Sequence, residues 1–280
     1  MSSKTAVSVL VLAYNEKIHL GKLLNHLQGW ADQIVIVDSF SSDGTAEIAK
    51  QANCDVLEHS YEYHSQQLNW ALENASFRNN WILVLDADEW LTDELKAEIK
   101  VAVTQAADGV NGYMFKRRIY FQNKWIKNGG CYPFWVVRLF RQGFGFSENI
   151  KMDEKFIVKG KVEKLRADLV DENLKGISFW VQKHNTYAQR EADDVLNGQR
   201  KPSRELLREA KEMKSVRRFF KHFYYKLPIF LRAGLYFLFR YFFLLGFLDG
   251  KEGLIFHSIQ GGWYRFLVDV YIHEAKRKEK

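Results

Sequence analysis

Residues 81–88 read Trp-Ile-Leu-Val-Leu-Asp-Ala-Asp, five apolar side chains in a row followed by two carboxylates one residue apart. An unbroken apolar run of this length predicts a strand covered on both faces, as strands are in parallel sheets. The same form occurs twice upstream. Ala6–Leu12 is Val-rich and runs into Ala13-Tyr14-Asn15-Glu16, and Ile34–Val37 closes on Asp38. Cys54–Leu57 is a short third strand, which makes Trp81–Leu85 the fourth. Helical signals lie between them. Ile18, Leu20, Leu23, Leu24 and Leu27 recur at helical spacing until Gly29. Ser41-Ser42-Asp43-Gly44 supplies turn and N-cap chemistry for a helix through Lys50, and residues 65–75 read as another helix. Thr92 caps a further one, with Asp93 and Glu94 in the first turn where the helix dipole favours acids.

Strand-helix alternation implies an α/β domain with a mostly parallel sheet flanked by helices. Right-handed crossovers bring the C-terminal ends of its strands to one edge, where such folds bind ligands. The groups delivered there are Ala13–Glu16, Asp38-Ser39 and Asp86-Ala87-Asp88. From Gly109 to about Ile177 the signals are shorter and β-like (Tyr113–Arg117, Trp135–Phe140, Phe156–Lys159), with Gly and Asn clusters between them. They read as a mixed-sheet subregion completing the same domain. Helical patterning returns at about Tyr187–Leu196 and Ser203–Phe220. The expected division is an α/β domain over 1–200, with halves at 1–110 and 111–200, and a helical region over 201–280. There are no internal repeats and no low-complexity linker.

The chain has 280 residues, 47% of them apolar and 27% charged, which excludes a disordered or fibrous protein. Its two cysteines, Cys54 and Cys131, form no CxxC pair and no disulfide framework, so a reducing cytosol fits best. Lys4 followed by an apolar run imitates a signal peptide, but the run stops at Tyr14-Asn15-Glu16 without cleavage context and reads as a buried first strand. The net charge of +7 hides a split: residues 1–110 hold 7 Lys+Arg against 16 Asp+Glu, and residues 201–280 hold 17 against 8. A basic C-terminal part points to an anionic partner.

Residues 211–248 narrow that choice. Lys211, Lys214, Arg217, Arg218, Lys221 and Lys226 precede an apolar stretch, and 13 of the 29 residues from Phe219 to Phe247 are aromatic. Pro228–Leu248 is long enough to span a bilayer, yet Arg232 and Arg240 interrupt it. An Arg near the bilayer centre costs about 3 kcal/mol on insertion scales. A basic flank beside an apolar aromatic face suits a segment lying in the interface or entering one leaflet, against a full span or a helix pair packed in a soluble domain. Basic charge interleaved with aromatics also marks single-strand nucleic-acid platforms, but no RNA-binding or helix-turn-helix signal accompanies it, and no nucleic-acid partner is expected.

Two carboxylates on a turn after a buried strand suit a hard divalent cation, Mg²⁺ or Mn²⁺, shared with substrate phosphates. The stretches VSVLVLAYNE, IVIVDSFSSDGT and WILVLDADEW resemble, in order and spacing, the inverting family 2 glycosyltransferases of GT-A (Rossmann-like) fold. WIKNGGCYPFWVVRLFR, MDEKF, WVQKHNTYA and GFLDGKEG resemble the branch with lipopolysaccharide-core and exopolysaccharide transferases. The resemblance implies transfer of a sugar from a nucleotide-sugar donor, a UDP-sugar first among them, to a lipid-linked or lipopolysaccharide-core saccharide. The enzyme would sit in the cytoplasm, attached peripherally or monotopically to the inner face of the membrane through its C-terminal region.

It also implies a catalytic domain over 1–200, with its nucleotide-sugar-binding half at 1–110 and its acceptor-side half at 111–200, and roles by position. Ala13, Tyr14, Asn15 and Glu16 form the loop around the nucleoside, and Asp38 accepts from the base. Asp86 faces ribose and metal, Ala87 lies between, and Asp88 binds the metal. Gln66, Gln67 and Asn69 lie on the helix near ribose and diphosphate, where Gln departs from the commoner charged pattern. Inversion needs a base for the acceptor hydroxyl. Asp153-Glu154 aligns with the family's acidic pair, Glu154 favoured and Asp153 the alternative. Arg138, Arg141 and His184 are candidates for diphosphate or acceptor phosphate, with Arg138 equally readable as an edge-strand surface charge. A nucleotidyltransferase is the competing enzyme class, but AYNEKIHLGK lacks the Gly-rich basic loop that triphosphate binding uses.

Overall fold

A computed structural model describes residues 4–148, 155–197, 224 and 227–278. The chain divides into two compact units, one of residues 1–125 and 131–175, the other of 126–130 and 176–280. The first alternates as expected: β1 (Thr5–Ala13), α1 (Lys17–Leu27), β2 (Ala31–Asp38), α2 (Thr45–Gln51), β3 (Asp55–Glu58), α3 (His64–Asn74) and β4 (Trp81–Asp86). A short β5 (Glu89–Leu91), α4 (Asp93–Thr104), β6 (Val110–Phe121), β7 (Lys124–Ile126), β8 (Trp135–Arg141), β9 (Gly145–Ser147), β10 (Phe156–Val158) and β11 (Lys161–Glu172) complete it.

The main sheet runs β3-β2-β1-β4-β8-β6-β11-β5. The first four strands are mutually parallel, with Leu10 of β1 level with Val35 of β2 and Val84 of β4. β8 enters antiparallel to both β4 and β6. Strand alternation sorts the core onto the two faces. Val7, Val9 and Val11 of β1 and Leu83 and Leu85 of β4 face Leu20, Leu23 and Leu27 of α1 and Leu95 and Ile99 of α4. Leu10, Val35, Val37, Ile82 and Val84 point the other way, onto Leu68 and Ala71 of α3. Each such Leu or Ile, fully buried, contributes about 2 kcal/mol of transfer free energy. Thr92 caps α4 as expected, its Oγ1 accepting from the Leu95 amide at 3.2 Å.

In the second unit, α5 (Gly176–Leu196) starts well before the helical signal at Tyr187. α6 (Leu231–Leu238) continues as a wide turn over Phe239–Phe243. A tight turn at Gly246–Asp249 leads to α7 (Gly250–His257), and a second wide stretch at Ser258–Trp263 leads to α8 (Tyr264–Lys278). The helix expected over Ser203–Phe220 lies outside the described residues. Within this unit α5 packs Ala188 and Ala192 against Tyr264, Val268 and Ile272 of α8. Among the described residues no single helix is long and apolar enough to cross a membrane. Leu231–Phe243 and Gly246–Lys278 meet that test only as a pair, bent by 71°.

Candidate active site

Three loops leave the parallel strands at one edge of the sheet, and hydrogen bonds knit the first two together. The Asn15 amide donates to Ser41 Oγ at 2.8 Å, the Glu16 amide to Thr45 Oγ1 at 2.8 Å, and the Ser42 amide to Asn15 Oδ1 at 2.9 Å. Asn15 and Phe40 both take left-handed backbone angles, φ 53° and 58°. For Phe40 that is a strained choice, and strain of this kind gathers at functional sites. Ala13 ends β1 in the core, whereas Tyr14 and Phe40 are both largely exposed, leaving two aromatic rings on these loops for a planar group to meet. Asp38 is buried between them. Its Oδ2 accepts from the Ser41 amide at 2.8 Å and its Oδ1 from Ser41 Oγ at 2.5 Å, so the carboxylate holds its own loop.

The third loop, Asp86-Ala87-Asp88, is locked from two sides. Arg138 of β8 is buried, and its Nη2 donates to Asp86 Oδ2 at 2.6 Å and to Glu89 Oε1 at 2.7 Å. Glu89, also buried, takes the Asp86 amide on its other oxygen at 3.0 Å. His64 at the start of α3 brings Nε2 to 3.5 Å from Asp86 Oδ1. Burial would raise the Asp86 carboxyl, but the Arg138 charge and the His64 contact outweigh it and hold the group well below the usual carboxylate range. Glu89 moves the opposite way, to about 8, through burial with the neighbouring Asp86 and Asp171 carboxylates, against the pull of Arg138. Arg138 is therefore neither an edge-strand surface charge nor a free phosphate ligand.

Asp88 is half-buried and held by a strap, residues 172–175. The Glu172 amide donates to the Asp88 carbonyl at 3.0 Å, and Asn173 Nδ2 donates to Asp88 Oδ2 at 2.8 Å. The next two strap residues reach the first loop. The Leu174 amide donates to His19 Nε2 at 2.8 Å, so the proton of the ring sits on Nδ1, which donates to Glu16 Oε2 at 2.5 Å. Lys175 Nζ reaches Glu16 Oε1 at 2.6 Å. A small cavity of about 10 Å³, a single water's worth, is bordered by His19, Lys22, Asp88, Trp90 and Glu172.

The remaining expected residues are placed as follows. Gln67 is buried and used internally, bonding Ser39 Oγ, the His59 carbonyl and the His59 ring. Asn69 braces Ser147 through two hydrogen bonds, and Gln66 is half-buried. Arg141 corrects the expectation. β8 runs antiparallel to β4, so Arg141 pairs with Trp81 at the far edge of the sheet, bonds the Val110 carbonyl and stacks on Trp81. His184 belongs to the second unit. Its ring stacks on Trp180 with centroids 3.4 Å apart, its Nδ1 bonds the Trp180 carbonyl, and burial lowers it to about 4. Asp153 and Glu154 lie outside the described residues. His64, Phe40, Glu89 and Asn173 were not expected. Only Phe40 carried a sequence signal, an aromatic in a polar turn two residues after Asp38.

Among the described residues no group of three or more His, Cys, Asp or Glu is arranged to enclose a metal ion. With Asp86 engaged by Arg138 and His64, the donor set is Asp88 and, beside it, Asp86. That fits a hard cation whose remaining ligands are phosphate oxygens and water, as is usual for Mg²⁺ and Mn²⁺.

Comparison with known proteins agrees with this geometry. The family model described as Glycosyl transferase family 2 matches residues 8–152. The lipopolysaccharide core biosynthesis glycosyltransferase LpsC of Rhizobium meliloti (strain 1021) is 29% identical over 210 residues, covering 72% of this chain and 76% of the relative. An uncharacterized glycosyltransferase of Rickettsia bellii (strain RML369-C) is 26% identical over 78% of this chain and 76% of its own length. The mannosyltransferase PcManGT of Pyrobaculum calidifontis, solved with GDP-Man and Mn²⁺, shares the fold with a TM-score of 0.53 at 14% identity, covering 97% of this chain and 88% of that one. With a locked Asp-Ala-Asp turn at the carboxyl edge of a mostly parallel sheet and a family match over half its length, the chain belongs to glycosyl transferase family 2, whose members transfer a sugar from a nucleotide-sugar donor.

Proposed function

We propose that this enzyme transfers a sugar with inversion, from a UDP-sugar in the first instance, to a lipid-linked or lipopolysaccharide-core saccharide at the cytosolic face of the membrane. The observation that carries the reading is the convergence of the β1, β2 and β4 loops on one edge, with the Asp86-Ala87-Asp88 turn fixed by Arg138, Glu89 and Asn173. The acceptor class is supported by the relative named for lipopolysaccharide core biosynthesis. Tyr14 and Phe40 flank the nucleoside, and Asp88, with Asp86 beside it, holds a divalent cation through oxygen. When bound, that cation neutralises charge on the departing diphosphate. The acceptor oxygen attacks the anomeric carbon from the face opposite the diphosphate, which leaves with the bonding pair. Glu154, or Asp153 in its place, takes the hydroxyl proton.

The test is a panel of UDP-, GDP- and nucleoside-monophosphate-activated sugars, with Mn²⁺ and membrane extract, using the full chain and Asp88→Ala. Transfer of label to extractable glycolipid, with release of nucleoside diphosphate and loss in D88A, is the expected result. Equal turnover by both proteins removes the metal assignment, and release of pyrophosphate from a nucleoside triphosphate would instead identify a nucleotidyltransferase.

A further inference from the structure

We propose that the turn between α6 and α7, residues 239–248, enters one leaflet of an anionic phospholipid bilayer as the membrane anchor of the second unit. The proposal rests on the membrane reading above and names the surface that carries it.

The two arginines that break the apolar run in the sequence do not break it in the fold. Arg232 is only 3% exposed, and its Nε donates to Asp269 Oδ1 at 2.8 Å, with Nη2 on the same oxygen. The other Asp269 oxygen takes the Phe230 amide at 2.8 Å. Arg240 turns inward as well, its Nε donating to the Gly129 carbonyl at 2.7 Å. Asp269 thereby meets the Arg232 charge, the Arg240 guanidinium bonds a backbone carbonyl of the same unit, and Tyr241–Leu248 contains no charged residue.

What faces outward is apolar. Phe242, Phe243, Leu244, Leu245, Phe247 and Leu248 are all exposed, Phe243 at 77%. Turns in water are ordinarily built from Gly, Asn, Asp and Ser. Six large apolar side chains clustered on one turn are the mark of an interaction surface.

The backbone tells lipid from protein. In hydrocarbon every amide and carbonyl needs an internal partner. The Leu244 amide donates to the Phe239 carbonyl at 3.0 Å, Leu245 to Phe242 at 3.3 Å and Leu248 to Leu245 at 3.0 Å. The Leu244 carbonyl accepts from the Gly129 amide at 2.8 Å. Gly129 is required there: it has φ +65°, and a Cβ on it would fall 2.0 Å from the His257 ring. Residues 126–130 thus brace the turn from within. Charge complementarity selects the lipid. Residues 211–226, just ahead in the sequence, carry six basic side chains and one acid, the composition that anionic headgroups attract.

The experiment uses the full chain with vesicles of phosphatidylglycerol and phosphatidylethanolamine, some carrying a diazirine in the acyl chain, and the exposed-site variant Phe242→Ser/Phe243→Ser. Expected are acyl-chain adducts within residues 239–248, about tenfold or more weaker sedimentation of the variant with vesicles, and weaker binding of the wild type to pure phosphatidylcholine. The proposal is overturned by adducts only outside this turn, by unchanged binding of the variant, or by equal binding to neutral vesicles. It is also overturned by a dimer in solution that the double substitution dissociates while vesicle binding persists, since a second copy then covers the face. Transfer from the donor panel to membrane extract separates the two readings: its absence in wild type defeats the catalytic assignment and leaves the vesicle result standing.

Discussion

Replacing Arg138 by Met separates a clamp from a phosphate ligand. In the folded chain the guanidinium lies 2.6 Å from Asp86 and 2.7 Å from Glu89, and Glu89 is buried. Met fills much of the same volume but leaves Asp86 without its buried cation, beside a Glu89 that is raised to about 8 and stays a neutral acid at pH 7. Breaking a buried pair in this way costs about 3–5 kcal/mol. For a unit of this size each kcal/mol shifts the midpoint by about 2–4 °C, so thermal unfolding of R138M should fall by roughly 6–20 °C. Arg138→Lys should lose less, because an ammonium still neutralises the pair but does not span both carboxylates as the fork does. The double variant Arg138→Met/Glu89→Leu should recover part of the stability, since an apolar side chain then replaces the buried acid beside Asp86. It should not recover transfer activity, because Asp86 is left unheld. The assays are differential scanning fluorimetry and donor binding by calorimetry on the four proteins. A melting point for R138M within about 1 °C of wild type, with donor affinity lost, would refute the clamp and return Arg138 to the diphosphate.

Asn173→Leu removes the hydrogen bond to Asp88 and should raise the Mn²⁺ concentration for half-maximal activity by about 10–100-fold, with folding unchanged by circular dichroism. Glu154→Gln should lower kcat by about 10²–10⁴-fold with little change in the KM for donor, and Asp153→Asn should do less; the reverse order of kcat values exchanges their roles. His184, lowered to about 4 from 6.5 chiefly by burial, stays neutral in the folded chain while the unfolded chain takes up a proton first on acidification. Its contribution is complete above about pH 6.5 and about 2–3 kcal/mol is lost toward pH 4, so urea midpoints should fall over that window and fall less in His184→Phe. Burial, aided by Asp55, raises Cys54 to about 11, so iodoacetamide should label it at pH 8 about 100-fold more slowly than an unperturbed thiol, measured by mass spectrometry under native conditions.

The parallel half of the sheet was legible because each strand there is an apolar run ending in a polar group, and right-handed crossovers leave one choice of edge. The antiparallel half was not. β8 inserts between β4 and β6, an order that no alternation rule supplies. That insertion makes Arg138 internal and sends Arg141 to the opposite edge. Glu89 read as one more acid beside Asp88. Its burial shows only once β5 is paired with the distant β11. The C-terminal region hid a partner in a similar way. Arg232 is disqualifying for an apolar face when read locally, and its neutralising partner, Asp269, lies 37 residues on.

The strap at residues 172–175 has a consequence for the order of events in folding. Its contacts to Asp88, His19 and Glu16 bridge 85, 155 and 159 residues, so they close after the local βα units have formed. A growing chain that has reached residue 171 holds every strand of the parallel half, with its Asp-Ala-Asp turn in place. It lacks the amide donor on Asp88 and both partners that set His19 and Glu16. These contacts then form in the last steps of assembling this unit, when four residues dock on loops made at its beginning. A nascent chain would therefore complete the hydrogen bonds around Asp88, His19 and Glu16 only within the span of Glu172 to Lys175.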